Sequence, residues 1–221
     1  DFHTMHTIHG RALAFAMGVK MGQPELNVIV PMGDGDALAI GGNHLIHAAR
    51  RNVDLTAIVM NNSIYGMTGG QYSPLTPTGK KATTAVYGTD SKPFDVVALA
   101  SGAGATFVAR TTTYHVKEMV DIIKAAILHK GFSVVEIMSQ CPTYYGRKNK
   151  MGGAVEIMET FQEKTVKLGS KKAEADPELM QRGVFVQEIQ PEYVESYQAL
   201  TAALQKTAQK GRGLGKGEHH G

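Results

Sequence analysis

Two short apolar runs, Asn27-Val28-Ile29-Val30-Pro31-Met32 and Leu55-Thr56-Ala57-Ile58-Val59-Met60, each stop at a small polar cluster. The first ends at Gly33-Asp34-Gly35 and the second at Asn61-Asn62. Six-residue runs bounded in this way read as buried strands. Between them, residues 38–51 carry apolar side chains at 38, 45, 46, 48 and 49, which is helical spacing. Together they predict a βαβ unit, whose ligands sit beyond the carboxyl ends of its strands. Both polar clusters fall at that edge. The alternation continues along the chain. A helix is expected over 7–21, stopped by Gly22 and Pro24, then a helix at 95–102, a strand at 105–110, a helix at 114–129 and a strand at 132–138. This order predicts an α/β fold with a doubly wound parallel sheet. Residues 68–93 are rich in Gly, Thr, Ser and Pro, with almost no apolar period. A loop of that length inside a domain is usually functional or disordered, and this one, following directly on the candidate magnesium ligands, reads as a cover over the site or a partner contact. Beyond Cys141, helices at 153–167 and 192–210 form a C-terminal arm. The expected division is a cofactor-binding domain at 1–150, a helical arm at 151–210 and a disordered tail at 211–221.

The chemistry of the two clusters is specific. Gly33 and Gly35 let the backbone approach a phosphate and present bare N–H groups near a helix start, which favours anions. Asp34 offers a hard anionic oxygen, and Asn62 a neutral one. Magnesium takes about six oxygens, shared among carboxylate, phosphates, water and carbonyls. A main-chain carbonyl just after Asn62, such as that of Ile64, suits the remaining protein position. Either cluster alone is an ordinary turn. The pair, separated by twenty-five residues and joined by a βαβ unit, points to a divalent cation held against a diphosphate.

The same motifs carry a resemblance. Gly-Asp-Gly followed at this distance by Asn-Asn looks like the thiamine-diphosphate and magnesium motif. The wider text is His9-Gly10-Arg11-Ala12-Leu13-Ala14, then Gly33 through His44, then Tyr65-Gly66-Met67-Thr68-Gly69-Gly70-Gln71-Tyr72-Ser73-Pro74. With Cys141-Pro142-Thr143-Tyr144 and Met151-Gly152-Gly153-Ala154, it resembles the β subunits of the 2-oxoacid:ferredoxin oxidoreductases over most of residues 1 to 200, closest to the 2-oxoglutarate type. The resemblance implies the thiamine-diphosphate-binding fold. It also implies magnesium on Asp34, the Asn62 side chain and the Ile64 carbonyl. Gly33, Gly35, Asp36, Tyr65, Gly66, Met67 and Thr68 would line the diphosphate and thiazolium, with His9 near the cofactor. The implied reaction is oxidative decarboxylation of a 2-oxoacid to acyl-coenzyme A, with electrons passed to ferredoxin. The glutamate that activates the aminopyrimidine has no counterpart here, so it is expected on an α subunit carrying the pyrimidine-binding domain.

Cys141 is the single cysteine, which excludes an internal disulfide and suits a reducing cytoplasm. On its residue type alone it is a small buried hydrophobe. In the family, this cysteine is the last of four thiolates on a [4Fe–4S] cluster, the other three lying in an N-terminal segment. One thiolate cannot hold such a cluster. Two explanations fit: the sequence is a piece whose other three ligands precede the present first residue, or the protein has lost the cluster; the expectation is the first, with Cys141 a ligand. Substrate choice follows less directly. A 2-oxoglutarate carboxylate needs a cation, yet Gly69 stands where some relatives carry lysine; Lys80, Arg147 or a partner residue would replace it. Pyruvate and 2-oxoisovalerate are the alternatives. A non-redox thiamine-diphosphate decarboxylase or synthase shares the magnesium motif, and a scaffold subunit would have no need of it.

Composition narrows the class. Hydrophobic residues make up 43% and charged residues 19%, enough for one substantial core. No apolar run approaches the ~20 residues that span a bilayer, so no membrane role is expected. The net charge of +3 is fully accounted for by Lys206, Lys210, Arg212 and Lys216 against Glu218 in the last twenty residues. The body is therefore neutral, which argues against nucleic acid. His219-His220 in that tail are weak metal candidates.

Overall fold

The computed structural model of the chain describes residues 3–214. The elements in order are α1 (Ala12–Gly22), β1 (Ile29–Gly33), α2 (Gly42–Arg51), β2 (Leu55–Asn61), β3 (Ile64–Tyr65), β4 (Gln71–Tyr72), α3 (Val96–Gly102), β5 (Phe107–Thr112) and α4 (Val116–Leu128). They continue with β6 (Phe132–Met138), α5 (Ala154–Glu163), β7 (Thr165–Lys167), α6 (Lys171–Ala175), β8 (Met180–Gln187) and α7 (Tyr193–Leu214). Six strands form one sheet in the order β1-β2-β6-β5-β8-β7. The first four are mutually parallel, β8 runs antiparallel to β5, and β7 lies parallel to β8. The sheet is thus mostly parallel and covered on both faces, as the alternating pattern predicts.

The two faces have separate cores. Val30, Met32, Leu55, Val59, Val108, Phe132 and Val134 pack with Leu13 of α1, Leu45 of α2, Val96 of α3 and Val194 of α7. On the other face Phe107, Ala109, Val135 and Ile137 meet Ile122 and Ala126 of α4. Each such fully buried large side chain stabilises the fold by about 1.5–3 kcal/mol relative to exposure. Parallel strands buried on both sides read as largely apolar runs, which is why β2 and β6 were visible in the sequence; β1, at the edge, alternates exposed and buried residues.

Several boundaries differ from expectation. The first helix begins at Ala12, not at residue 7, because Gly10 takes φ +73° and breaks the backbone there. His9 consequently lies in the turn before α1. The helix expected over 38–51 divides into a π turn at Asp36–Ile40 and α2, at the Gly41-Gly42 pair. The stretch expected as one helix over 153–167 ends as α5 at Glu163, and 165–167 form β7. The C-terminal arm is helical in α5, α6 and α7, but it also lends two strands to the sheet. Of the tail expected at 211–221, residues 211–214 continue α7, while 215–221, including His219 and His220, lie outside the described residues. Among the described residues no helix is long and apolar enough to cross a membrane.

One asparagine ties α7 to the amino edge of the sheet. Asn52 ends α2 in the left-handed region at φ +52°. Its Oδ1 accepts from Phe132 N at 2.8 Å and Thr106 Oγ1 at 2.7 Å, and its Nδ2 donates to the Pro191 carbonyl at 3.1 Å. Nearby, Lys20 Nζ meets Asp54 Oδ2 at 2.7 Å, and the Glu192 carboxylate accepts from Asp54 N at 2.9 Å. Asn52→Ala would strand buried donors and put alanine, which tolerates the left-handed region less well than asparagine, at a positive φ. We expect it to cost about 3 kcal/mol, as buried unsatisfied groups cost roughly 1–3 kcal/mol each. Asn52→Gly should also lose stability, by a smaller amount, because it relieves the backbone strain alone. Denaturant unfolding of the two variants measures this order.

Candidate cofactor and metal site at the carboxyl edge

Parallel pairing sets Gly33 opposite Met60, so β1 and β2 end side by side and Asp34 emerges next to the Asn61-Asn62 pair. Asp34 is only 3% exposed. Ser73 Oγ donates to its Oδ2 at 2.6 Å, and the backbone N–H groups of Gly35 and Ile64 also favour its charged form. Among the described residues no basic side chain pairs with it. Burial therefore dominates and pushes its carboxyl up to about 6, against the hydrogen bonds from Ser73 and the amides. A buried anion without a counter-ion is a place prepared for a cation.

The Asn-Asn pair folds as two successive side-chain turns. Asn61 Oδ1 accepts from Ser63 N at 3.0 Å, and Asn62 Oδ1 accepts from Ile64 N at 3.2 Å. Ser63 sits at φ +62°, uncommon for serine and held by its neighbours. Thr76 Oγ1 donates to the Ser63 carbonyl at 2.6 Å and accepts from Ser73 N at 2.8 Å. The start of the long loop thus bridges the two motifs, with Ser73 on Asp34 and Thr76 on the turn. Neither hydroxyl was singled out for this from sequence. The available signal was the Ser73-Pro74-Leu75-Thr76 spacing, which suits a local hydroxyl-capped turn.

The remaining expected residues divide into those gathered at the edge and those that project from it. Gly35 is pressed by Tyr65: a Cβ at Gly35 would lie 2.2 Å from the Tyr65 ring, whose hydroxyl donates to the Gly35 carbonyl at 3.1 Å. Burial, then Asp34 and Asp36, push the Tyr65 hydroxyl above its ordinary value. Asp36 Oδ1 accepts from Gly10 N and lies 3.1 Å from His9 Nδ1, and the His9 ring tilts toward Tyr65 at 5.8 Å. These contacts join the segment before α1 to the π turn. A Cβ at Gly66 would sit 3.7 Å from Cys141 Sγ and 3.9 Å from Asn62 Nδ2, so the cysteine borders the same loop. Met67 is fully exposed, and Thr68 is engaged with Gln71 across the β3–β4 hairpin. These two project from the rim. A cavity of about 390 Å³ opens beside the site, lined among others by Tyr65, Tyr72, Ser73, Thr76, Lys92 and Phe94. Its cation is Lys92. Lys80 is half-buried, Arg147 is exposed, and neither forms an ion pair among the described residues.

These groups fit a hard cation carrying a diphosphate: one buried carboxylate, one carboxamide, a carbonyl at Ile64, and glycines at the approach. They do not make an iron–sulfur site. Cys141 is the only cysteine, and no group of three or more His, Cys, Asp or Glu side chains gathers among the described residues.

Residues 1–137 match the thiamine pyrophosphate enzyme family, C-terminal TPP-binding domain. The 2-oxoglutarate synthase subunit KorB of Methanothermobacter marburgensis is 53% identical over 175 residues, which is 79% of this chain and 61% of that one. The KorB subunit of Methanocaldococcus jannaschii is 48% identical over 204 residues, 91% of this chain and 76% of that one. The chain therefore spans between three fifths and four fifths of the length of these two relatives. A solved 2-oxoglutarate:ferredoxin oxidoreductase from Magnetococcus marinus, with 2-oxoglutarate, coenzyme A and succinyl-CoA bound, superposes with a TM-score of 0.83 at 31% identity. That likeness covers 93% of this chain and 72% of the other. With the sheet order, the carboxyl-edge motifs and these likenesses in agreement, the chain belongs to the β subunits of the 2-oxoacid:ferredoxin oxidoreductases, built on a thiamine-pyrophosphate-enzyme domain.

Proposed function

We propose that this chain binds thiamine diphosphate through Mg2+ at the carboxyl edge. In our reading it acts as the β subunit of an enzyme that oxidatively decarboxylates 2-oxoglutarate to succinyl-coenzyme A, with ferredoxin as electron acceptor. The observation that carries the reading is the convergence of Asp34, Asn62 and Ile64 at the ends of adjoining parallel strands, with Asp34 buried and lacking a basic partner among the described residues. Asp34, the Asn62 carboxamide and the Ile64 carbonyl would hold the metal. Gly33, Gly35, Tyr65 and the π turn from Asp36 would receive the diphosphate, with the Tyr65 ring packed on Gly35 and its hydroxyl donating to the Gly35 carbonyl. Gly66, Met67, Thr68 and His9 would border the rest of the coenzyme. The bound coenzyme supplies an electron sink for the carbanion left by decarboxylation.

Among the described residues, the acids at the carboxyl edge already have other partners or roles. Asp34 faces the metal position, Asp36 is engaged by His9 and Gly10, and Glu136 is buried against Arg110 and Asn61. We therefore assign that glutamate to a partner α subunit, in the cytoplasm. The relatives' names and the 2-oxoglutarate in the Magnetococcus structure favour this substrate over pyruvate and 2-oxoisovalerate. Cys141 would serve as one thiolate of a [4Fe–4S] cluster whose other ligands lie outside these 221 residues, and no step is derived through it.

The assembled complex, assayed without oxygen on a panel of 2-oxoacids with coenzyme A and a viologen dye, should reduce dye with 2-oxoglutarate and only when coenzyme A is present. Carbon dioxide release with no dye reduction would reject the redox reading. In the same complex, Cys141→Ser should diminish the iron content and alter the cluster's EPR signal. An unchanged signal would reject its role as a ligand.

A further inference from the structure

Glu136 takes no part in the coenzyme chemistry, yet it is 2% exposed and sits in β6 beside Arg110 of β5. Its oxygens serve different partners. Oε2 accepts from Arg110 Nε at 2.6 Å, and Oε1 accepts from Asn61 Nδ2 at 2.7 Å. Arg110 extends to Asp95 Oδ1 at 2.7 Å, the cap of α3, and its guanidinium lies 5.8 Å from the centre of the Phe185 ring on β8. A polar row thus runs from Asn61 at the end of β2 across β6 and β5 to an aromatic seat on β8.

The row has a directional consequence. A carboxamide has a donor end and an acceptor end of nearly the same shape. A carboxylate only accepts, so Glu136 takes the Asn61 NH2 and leaves the Asn61 oxygen for Ser63 N. That bond holds Ser63 at φ +62° and shapes the turn that carries Asn62 and Ile64. We propose that Glu136, backed by Arg110, is a positioning residue for magnesium: it fixes which way the Asn61 carboxamide points, and so where the Asn62 and Ile64 oxygens stand. The inference rests on the magnesium reading above and adds to it a residue that does not touch the metal.

Glu136→Gln keeps the shape and removes the acceptor-only character. One donor must then face another, either at Arg110 or at Asn61. If Asn61 turns over, its NH2 meets Ser63 N–H and the turn opens. Calorimetric titration of thiamine diphosphate into the cofactor-stripped complex at graded Mg2+ reads this directly. The Mg2+ needed for half-saturation should rise roughly tenfold, the lower end of what loss of an outer-shell partner costs. The double variant Arg110→Gln/Glu136→Gln restores an alternating row. The amide oxygen introduced at position 110 reaches the level of the former Nε and accepts from the amide NH2 introduced at position 136. The oxygen of that second amide then accepts from Asn61, as the carboxylate did. Most of the original Mg2+ dependence should return, although the ion pair and the Asp95 contact are gone. A role in stability alone would not recover in this way.

An unchanged Mg2+ requirement in Glu136→Gln, or a double variant no better than the single, overturns the proposal. If Glu136→Gln fails to assemble, Asn61→Ala carries the test, with a similar rise expected and an unchanged requirement overturning it. Asp34→Ala separates the two levels. Wild-type coenzyme binding in that variant would reject the magnesium reading itself. Loss of binding there, with Glu136→Gln unaffected, would reject the positioning role alone.

Discussion

Asp34→Ala is expected to abolish measurable thiamine diphosphate binding while the fold persists. The substitution removes the one carboxylate among the proposed metal-holding groups and leaves the diphosphate charge poorly compensated. The loss should exceed the roughly 10–100-fold typical of losing an outer-shell partner. The cofactor-free protein should not suffer, because keeping Asp34 ionised where it lies is itself costly. Its carboxyl stands at about 6 against an ordinary 3.8, a difference of roughly 3 kcal/mol at neutral pH. The folded value is the higher one, so protonation favours the folded state. Cofactor-free stability contributed by this group is present below about pH 4 and lost as pH rises through about 6. Metal binding has the opposite sign, since it needs the ionised form. Coenzyme affinity at fixed Mg2+ should fall about tenfold per pH unit below 6 and level off above it. Coenzyme titration from about pH 5 to 8 checks the sign for binding, and unfolding of the cofactor-free protein from about pH 4 to 7 checks the sign for stability. Asp34→Asn, which keeps a partner for Ser73 but no charge, should remove the pH dependence along with most of the affinity.

Gly35→Ala should impair both stability and coenzyme binding, for a steric reason. The added methyl would meet three atoms of the Tyr65 ring end at 2.2 to 2.7 Å, so the ring must leave. It would give up its bond to the Gly35 carbonyl and its place against His9. Overpacking of this kind costs typically about 1–3 kcal/mol. The displaced ring would then enter the space reserved for the diphosphate or release the π turn. Adding Tyr65→Ala to Gly35→Ala should recover the overpacking part of the lost stability. Denaturant unfolding of the single and double variants, with coenzyme titration of each, distinguishes this from a loss of backbone freedom. Gly35 has φ −70°, which alanine adopts readily, so an unchanged unfolding midpoint in the single variant would refute the steric account.

What could be read from the chain follows the range of its interactions. β2 and β6 were visible as largely apolar runs because both their faces are buried, and β1 was visible because its residues are apolar even where they alternate between core and surface. The clusters at 33–35 and 61–62 were visible because each is contiguous. Their meeting was visible because one βαβ unit joins them. Ser73 and Glu136 were not recognised in their roles, since their partners lie 39 and 75 residues away in sequence. His9 was expected on a helix, but one glycine at positive φ placed it in the preceding turn, where it meets Asp36. β8 escaped notice because Gln181, Arg182 and Gly183 interrupt it, and because its pairing with β5 shifts register between Val108 and Ala109. Only Val184-Phe185-Val186 carried a strand signal there.

β8 also bears on where this molecule can be cut. The enzyme domain matched over residues 1–137 stops short of β7 and β8. Excised at that boundary, the protein would bare the row of amides on Phe107–Arg110 that β8 now satisfies, and would strip Arg110 of its aromatic seat. An uncovered sheet margin of this sort recruits another copy of itself. A minimal fragment for crystallography or engineering must therefore extend through Gln187, or it will be recovered as aggregate.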